Sequence, residues 1–455
     1  MPSATWPSWP SSRRITMRRG NDRLQWLLVL ALLPVLCGQP ACRSGTPQAR
    51  PNVVLVVIDT LRMDHLPFYG YRLNTAPFLT DLAAQGVVCE SCYSTSSFTS
   101  PATASILTSL YPFQHGVHKG LIVTLNQQAQ NSSLRLNRIP QSVLTLSEWL
   151  RNSGYRTYAV ADNLNICEAE GFTQGFDRFV TMNNLGAAQV TRQARQWQKE
   201  MRAAAPYFLY LHYMDPHAPY LACKPWYVSG SGELQDAIAR YDSEIRSIDE
   251  QLRQLFSELD WKENTILVVT ADHGEEFLEH GQTGHGKSLY NEVLRVPLLF
   301  WSRALAPQRL PQEVSTVDIM PTIGAMLGMK AGEGFSGVSL WPFMRADGQR
   351  SPRPLFATLL TSIPGGPEAS LRATIWGQWK YIVTDEQFRE LYDTRSHPRE
   401  RINQSGHPGT EPVADKLNGL FLAFKTRCPV FPQDLSQIKI DEKLLEELKT
   451  LGYVR

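Results

Sequence analysis

Apolar residues fall along this chain in short unbroken runs, separated by stretches in which they recur every three or four positions. Residues 53–58 are continuously aliphatic, the pattern of a strand covered on both faces. Runs at 87–93, 157–161, 207–213, 265–270 and 293–300 read in the same way. Between them the spacing predicts helices over 77–84, 101–110, 143–152, 189–204, 234–259 and 317–327. Pro101 is expected at the first helical position of its helix, with Thr99 or Ser100 near the cap. Strands alternating with helices imply an α/β fold, a mainly parallel sheet sandwiched by helices, with its site built from loops at the carboxyl ends of the strands. The pattern changes at about Ser351. Short strands at 371–374, 380–383 and 390–392 predict a small antiparallel sheet, and a last helix is expected over 441–451.

The N-terminus changes this picture. Arg13, Arg14, Arg18, Arg19 and Arg23 precede an apolar run at 24–36 that only Gln25 and Pro34 interrupt. This is the layout of a secretory signal, and the run is too short for a confident membrane span. Met17 would leave a conventional short charged segment in front of it. Cys37 and Cys42 follow, where a cysteine is lipidated in bacterial lipoproteins; an uncleaved anchor is the alternative. The expected organisation is therefore an export segment at 1–42, a polar linker at 43–50, the main α/β domain at 51–350 and a C-terminal subdomain at 351–455. An exported protein, periplasmic or extracellular and with possible membrane attachment, is the corresponding localisation.

Composition narrows the function classes. Of 455 residues, 43% are hydrophobic and the net charge is +2. With five arginines crowded at the N-terminus, the remainder is close to neutral, so nucleic acid is not a natural partner. Five cysteines lie beyond the export segment, an odd number that leaves at least one thiol without an internal partner. Cys89 and Cys92 have Cys-x-x-Cys spacing, but no second pair accompanies them. Partly buried structural thiols in a strand are expected there, not a zinc site.

Candidate chemistry clusters at strand ends. Asp59 follows the 53–58 strand directly, and Asp272 and His273 follow the 265–270 strand. Adjacent Asp and His just beyond a buried strand can both reach one metal ion, and two strands that end in this way make the set more telling. Thr99 stands at the start of a helix, whose free N–H groups and dipole favour an anionic oxygen. A bound metal would activate such a hydroxyl; helix capping is the alternative role. His217, His285 and Lys287 lie in loops and suit an anionic substrate or its leaving group. His280 belongs to the same loop set. His212 lies within the 207–213 strand and reads as core. Tyr220, Trp226 and Tyr227 suit either stacking on a substrate or packing.

These residues together resemble the sulfatase family of the alkaline-phosphatase-like superfamily. The resemblance rests on Asn52 to Arg62 around Asp59, on Thr99-Ser100-Pro101-Ala102-Thr103, and on His115-Gly116-Val117. It continues through His212-Tyr213-Met214-Asp215-Pro216-His217, Ala271-Asp272-His273-Gly274-Glu275, Gly284-His285-Gly286, Arg295-Val296-Pro297 and Trp379-Lys380-Tyr381. It implies a metal-dependent ester hydrolase or transferase with Asp59, Thr99, Asp272 and His273 at one divalent ion. The nitrogen ligand favours Zn²⁺ or Mn²⁺, with Ca²⁺ also possible. Two departures matter. Thr60 stands where many members carry a second aspartate. Thr99 stands where sulfatases carry the Cys or Ser that becomes formylglycine, and Thr103 replaces that motif's arginine. Oxidation of a threonine would give a ketone, which argues against formylglycine chemistry. The resemblance thus implies a phosphate or phosphonate ester, from a small anionic molecule or a lipid or glycan head group, attacked by Thr99. A sulfatase working without formylglycine, or a non-catalytic metal-binding member, are the alternatives.

Overall fold

A computed structural model of the chain describes residues 49–128, 135–330, 332, 334–345, 352–362, 368–384, 388–432 and 434–436. The expected export segment, most of the linker and the expected helix at 441–451 lie outside the described residues.

The six aliphatic side chains of β1 (Asn52–Ile58) are all buried because the strand is covered on both faces and paired on both edges. The other strands of the large sheet are β2 (Val87–Tyr93), β3 (Arg156–Ala161), β4 (Arg178–Thr181), β5 (Tyr207–Tyr213) and β6 (Thr265–Thr270). A two-stranded hairpin, β7 (Glu276–Phe277) with β8 (Thr283–Gly284), follows outside the sheet. The sheet is completed by β9 (Arg295–Val296), β10 (Leu298–Trp301) and β11 (Gln308–Ser315). Its order is β9–β2–β10–β6–β1–β5–β3–β4, with β11 also beside β2. Pairings within β6–β1–β5–β3–β4 are parallel, as is β11 with β2; β9 and β10 run antiparallel to their neighbours.

Four expected elements change at their edges or in kind. The expected strand at 293–300 is a helical turn (Asn291–Leu294) followed by β9 and β10. Pro297 separates those strands, since it has no N–H to give the ladder. The helix expected at 189–204 divides at Trp197, whose ring packs on Tyr158 at 5.6 Å. The helix expected from 143 starts at Leu146, because Thr145 and Glu148 form a capping box there. The helix expected from Pro101 starts earlier, at Thr99; a proline is tolerated anywhere in the first turn, where N–H groups have no helical acceptor.

The C-terminal sheet is antiparallel and runs β12 (Leu355–Ser362), β13 (Glu368–Trp376), β14 (Trp379–Thr384), β15 (Arg389–Asp393). β12 and the helix Glu411–Arg427 that packs on this sheet are additions to the sequence expectation. None of the five cysteines among the described residues forms a disulfide, and Cys89 and Cys92 lie in β2 as expected but are fully buried. Among the described residues no helix is long and apolar enough to cross a membrane.

A buried ion pair fastens the C-terminal sheet to the loops below the site. Lys380 Nζ lies 2.8 Å from Glu400 Oε1 and 3.1 Å from Asn291 Oδ1, and both charged side chains are fully buried. Lys380→Met strands the Glu400 carboxylate and is expected to lower unfolding stability by about 3–5 kcal/mol in urea titration. Lys380→Met with Glu400→Gln should recover most of that loss; a single variant as stable as wild type contradicts this role.

Candidate active site

β1, β5 and β6 are parallel neighbours, so their carboxyl ends open on one edge of the sheet. Asp59 and Asp272 leave β1 and β6 at that edge, and both side chains are fully buried. Asp59 Oδ2 accepts a hydrogen bond from Asn163 Nδ2 at 2.7 Å and stands 3.3 Å from His212 Nε2. Asp272 Oδ1 accepts from His273 N at 2.9 Å and from Thr60 N at 3.4 Å. The other oxygen of each, Asp59 Oδ1 and Asp272 Oδ2, is buried with no hydrogen-bond partner.

His273 faces both of those oxygens. Its Nδ1–H donates to the carbonyl of Gly274 at 2.9 Å, which leaves the lone pair on Nε2. Nε2 lies 3.7 Å from Asp59 Oδ1, 3.7 Å from Asp272 Oδ2 and 3.3 Å from Thr99 Oγ1. Thr99 is the first residue of helix α1 (Thr99–Thr108), behind Phe98 at the N-cap. Gly274 admits no side chain: a Cβ there would come 2.0 Å from the carbonyl oxygen of Glu292.

Asp59, His212 and Asp272 each offer a ligand atom within 4.8 Å of the others, and all three are buried. Two orphaned carboxylate oxygens beside imidazole nitrogens and a hydroxyl fit a divalent cation. Without one, two buried carboxylates cannot both carry charge cheaply. Burial opposes the charge on Asp59, but the hydrogen bond to His212 and the nearby imidazoles hold it below the usual carboxylate range. Burial and the charge on Asp59 push Asp272 well above that range. Burial and the charge of His285 lower His273 to about 3, so it is a neutral donor at physiological pH.

The loop residues separate into two groups. The His285 ring lies 4.4 Å from that of His273 and 4.9 Å from that of His217, so both reach the site. His285 Nδ1 is 3.0 Å from Glu275 Oε1. Burial pulls His285 down, yet Glu275 and Asp59 outweigh it and raise the imidazole above its ordinary value. His217 is half-buried and donates from Nδ1 to the Ala218 carbonyl at 2.6 Å. Lys287 is exposed, and its ammonium donates to the Thr283 carbonyl at 2.7 Å, on the hairpin rather than among the carboxylates. His280 turns away: it pairs with Glu292, bonds the Glu400 carbonyl at 3.1 Å and stacks on Tyr290 at 3.7 Å. Asp215 is structural, accepting from Ala187 N at 2.8 Å. Tyr220 packs on Phe277, Arg246 lies over Trp226, and Tyr227 donates to Asp236.

Three residues at the site exceed the sequence expectation. His212 is buried, as a core residue would be, but it touches Asp59. Asn163 lies two residues beyond β3, and Glu275 lies in the loop after β6. The strand-end rule that singles out Asp59 and Asp272 also points to Asn163, whereas nothing in the pattern marks His212.

A hydroxyl at a helix N-terminus, set against a buried carboxylate–imidazole cluster at the carboxyl edge of an α/β sheet, is an arrangement that suits ester hydrolysis. Comparison with known proteins makes this specific. The sulfatase family model matches residues 51–329, and the chain belongs to the sulfatase family. Human N-acetylgalactosamine-6-sulfatase is 25% identical over 412 residues, covering 77% of this chain and 75% of that protein. A putative sulfatase structure from Bacteroides thetaiotaomicron superposes with a TM-score of 0.70 at 19% identity, covering 87% of this chain and 96% of that one. The phosphonate monoester hydrolase of Silicibacter pomeroyi superposes with a TM-score of 0.66 at 17% identity, covering 83% and 96%. The fold is thus alkaline-phosphatase-like.

Proposed function

We propose that the chain cleaves or transfers a phosphate or phosphonate ester with Thr99 as nucleophile. The observation that carries this reading is the position of Thr99 Oγ1, at the N-terminus of α1 and 3.3 Å from His273 Nε2. Asp59, Asp272 and His273 would hold one divalent cation, and their mixed oxygen and nitrogen donors favour zinc or manganese over calcium. When bound, it supplies Lewis-acid charge that favours the alkoxide of a neighbouring hydroxyl.

The chain's own residues account for the remaining steps. Thr99 gives up its hydroxyl proton to solvent, and Oγ1 attacks phosphorus in line as the bond to the leaving oxygen breaks, so that a phosphoryl- or phosphonyl-threonine forms. The N–H groups of Thr99 and Ser100, which open α1, have no acceptor within the helix and suit an anionic oxygen. His285, whose imidazolium form Glu275 favours, gives a proton to the leaving oxygen or holds a non-bridging one, and His217 supports it. Lys287, held on the hairpin, adds positive charge near His285. Water or an acceptor hydroxyl then displaces Thr99 from phosphorus.

A sulfate ester is the second reading, favoured by the sulfatases among the relatives. Against it stands the β-methyl of Thr99, which bars an aldehyde. The substrate class is a small anionic ester or a lipid or glycan head group, not nucleic acid. The N-terminal segment supports export, with lipid attachment at Cys37 or Cys42.

The test assays the purified chain with Mn²⁺, Zn²⁺ or Ca²⁺ on p-nitrophenyl phosphate, its bis-ester, a p-nitrophenyl phosphonate and p-nitrophenyl sulfate. Release from a phosphorus ester that needs Mn²⁺ or Zn²⁺ is expected. Release from the sulfate alone contradicts the phosphoryl reading.

A further inference from the structure

The two oxygens of Asp59 have different surroundings. Oδ2 is engaged by Asn163 Nδ2 at 2.7 Å and by His212 Nε2 at 3.3 Å, whereas Oδ1 has no hydrogen-bond partner. His212 is itself held from behind. Tyr210 and His212 are two residues apart on β5 and share a face, and the Tyr210 hydroxyl lies 3.0 Å from His212 Nδ1. A phenol that donates to Nδ1 leaves the imidazole proton on Nε2, directed at Asp59. Burial raises Tyr210 well above an ordinary phenol, so that donor proton is retained. All three side chains are fully buried.

Thr60, next to Asp59, has a left-handed backbone, at φ 56°. Its hydroxyl donates to the Pro216 carbonyl at 2.8 Å, away from Asp272 and Asp59. Asp59 is therefore without a carboxylate neighbour from its own loop, and its orientation depends on groups from other strands.

We propose that His212 and Asn163 are positioning residues for the metal site. From β5 and from the loop after β3 they clamp Asp59 Oδ2, so that Oδ1 alone is presented to a cation. Tyr210 fixes the His212 tautomer. The proposal rests on the metal-dependent reading given above. Groups that orient a metal ligand from behind typically change metal affinity by about 10–100-fold.

The experiment is a chelator-competition titration of Zn²⁺ and Co²⁺ into the metal-stripped full chain, with His212→Ala, His212→Gln and Asn163→Ala beside wild type. The visible spectrum of the Co²⁺ form and a thermal melt are recorded for each. Glutamine returns an N–H donor near the place of Nε2. His212→Ala and Asn163→Ala are expected to weaken binding by about 10–100-fold. His212→Gln is expected to bind within about threefold of wild type, with an unchanged Co²⁺ spectrum. Asn163→Ala keeps the test open if His212→Ala fails to fold. Wild-type affinity in both alanine variants overturns the proposal. So does a Co²⁺ spectrum altered in His212→Gln, because His212 would then be a ligand itself. A wild-type chain that takes up no ion overturns the functional reading as well.

Discussion

Thr99→Ala removes phosphorus-ester turnover, lowering kcat/KM by about 10⁴-fold or more, while Thr99→Ser retains activity. The size of the effect follows from the absence of a substitute at that point. Ser100, the adjacent hydroxyl, is directed to the Asn165 carbonyl at 3.3 Å. Thr103 lies a turn further into the buried helix. The fold should tolerate the change. Phe98 is the N-cap and no side chain caps this helix, so losing Oγ1 costs no cap. Parallel kinetics and thermal melting separate the two effects: unchanged melting with lost turnover is expected. Turnover within tenfold of wild type in Thr99→Ala contradicts a nucleophilic role.

The second large effect concerns Asp272. In wild type, an ion that binds only the folded chain stabilises it by about 4 kcal/mol at a thousandfold excess over its dissociation constant. Asp272→Asn keeps an acceptor for the N–H groups of His273 and Thr60, which bond Oδ1. It replaces the orphaned Oδ2 with an amide nitrogen that cannot ligate a cation. The melting shift with Zn²⁺ or Mn²⁺ should therefore vanish in the variant. Without added ion, Asp272→Asn is expected to be at least as stable as wild type. Burial and the charge of Asp59 already disfavour a carboxylate at that position, and the substitution removes the conflict. Equal ion-induced shifts in wild type and Asp272→Asn would show that the ion is held elsewhere.

Much of this site is legible because the chemistry stands at strand ends. An unbroken aliphatic run marks β1 and β6 as central strands, and whatever follows such a run emerges at the sheet edge. Asp59, Asp272 and His273 are found by that rule alone. His212 is not, for a physical reason. All seven residues of β5 are buried, so alternation does not show which face each side chain takes. A histidine one residue from the strand's end then looks like any other core residue. Register supplies the missing fact, by placing His212 opposite Val57 of β1. The sheet's direction at β9 and β10 is hidden similarly, since an apolar run reads alike in parallel and antiparallel pairing. The separation of His280 from His285 is also beyond the pattern, because only the hairpin and the Glu400 carbonyl reveal which way each ring turns.

The central claim is that a phosphoryl group passes through Thr99. Its most direct test is acid-quenching of the Mn²⁺- or Zn²⁺-loaded chain during turnover of a phosphorus ester, followed by mass spectrometry of the peptide containing residues 99–103. A phosphoryl adduct on Thr99, formed and lost within the turnover time, is the expected result. Turnover with that peptide unmodified at every quench time, or with the adduct on another residue, contradicts the account.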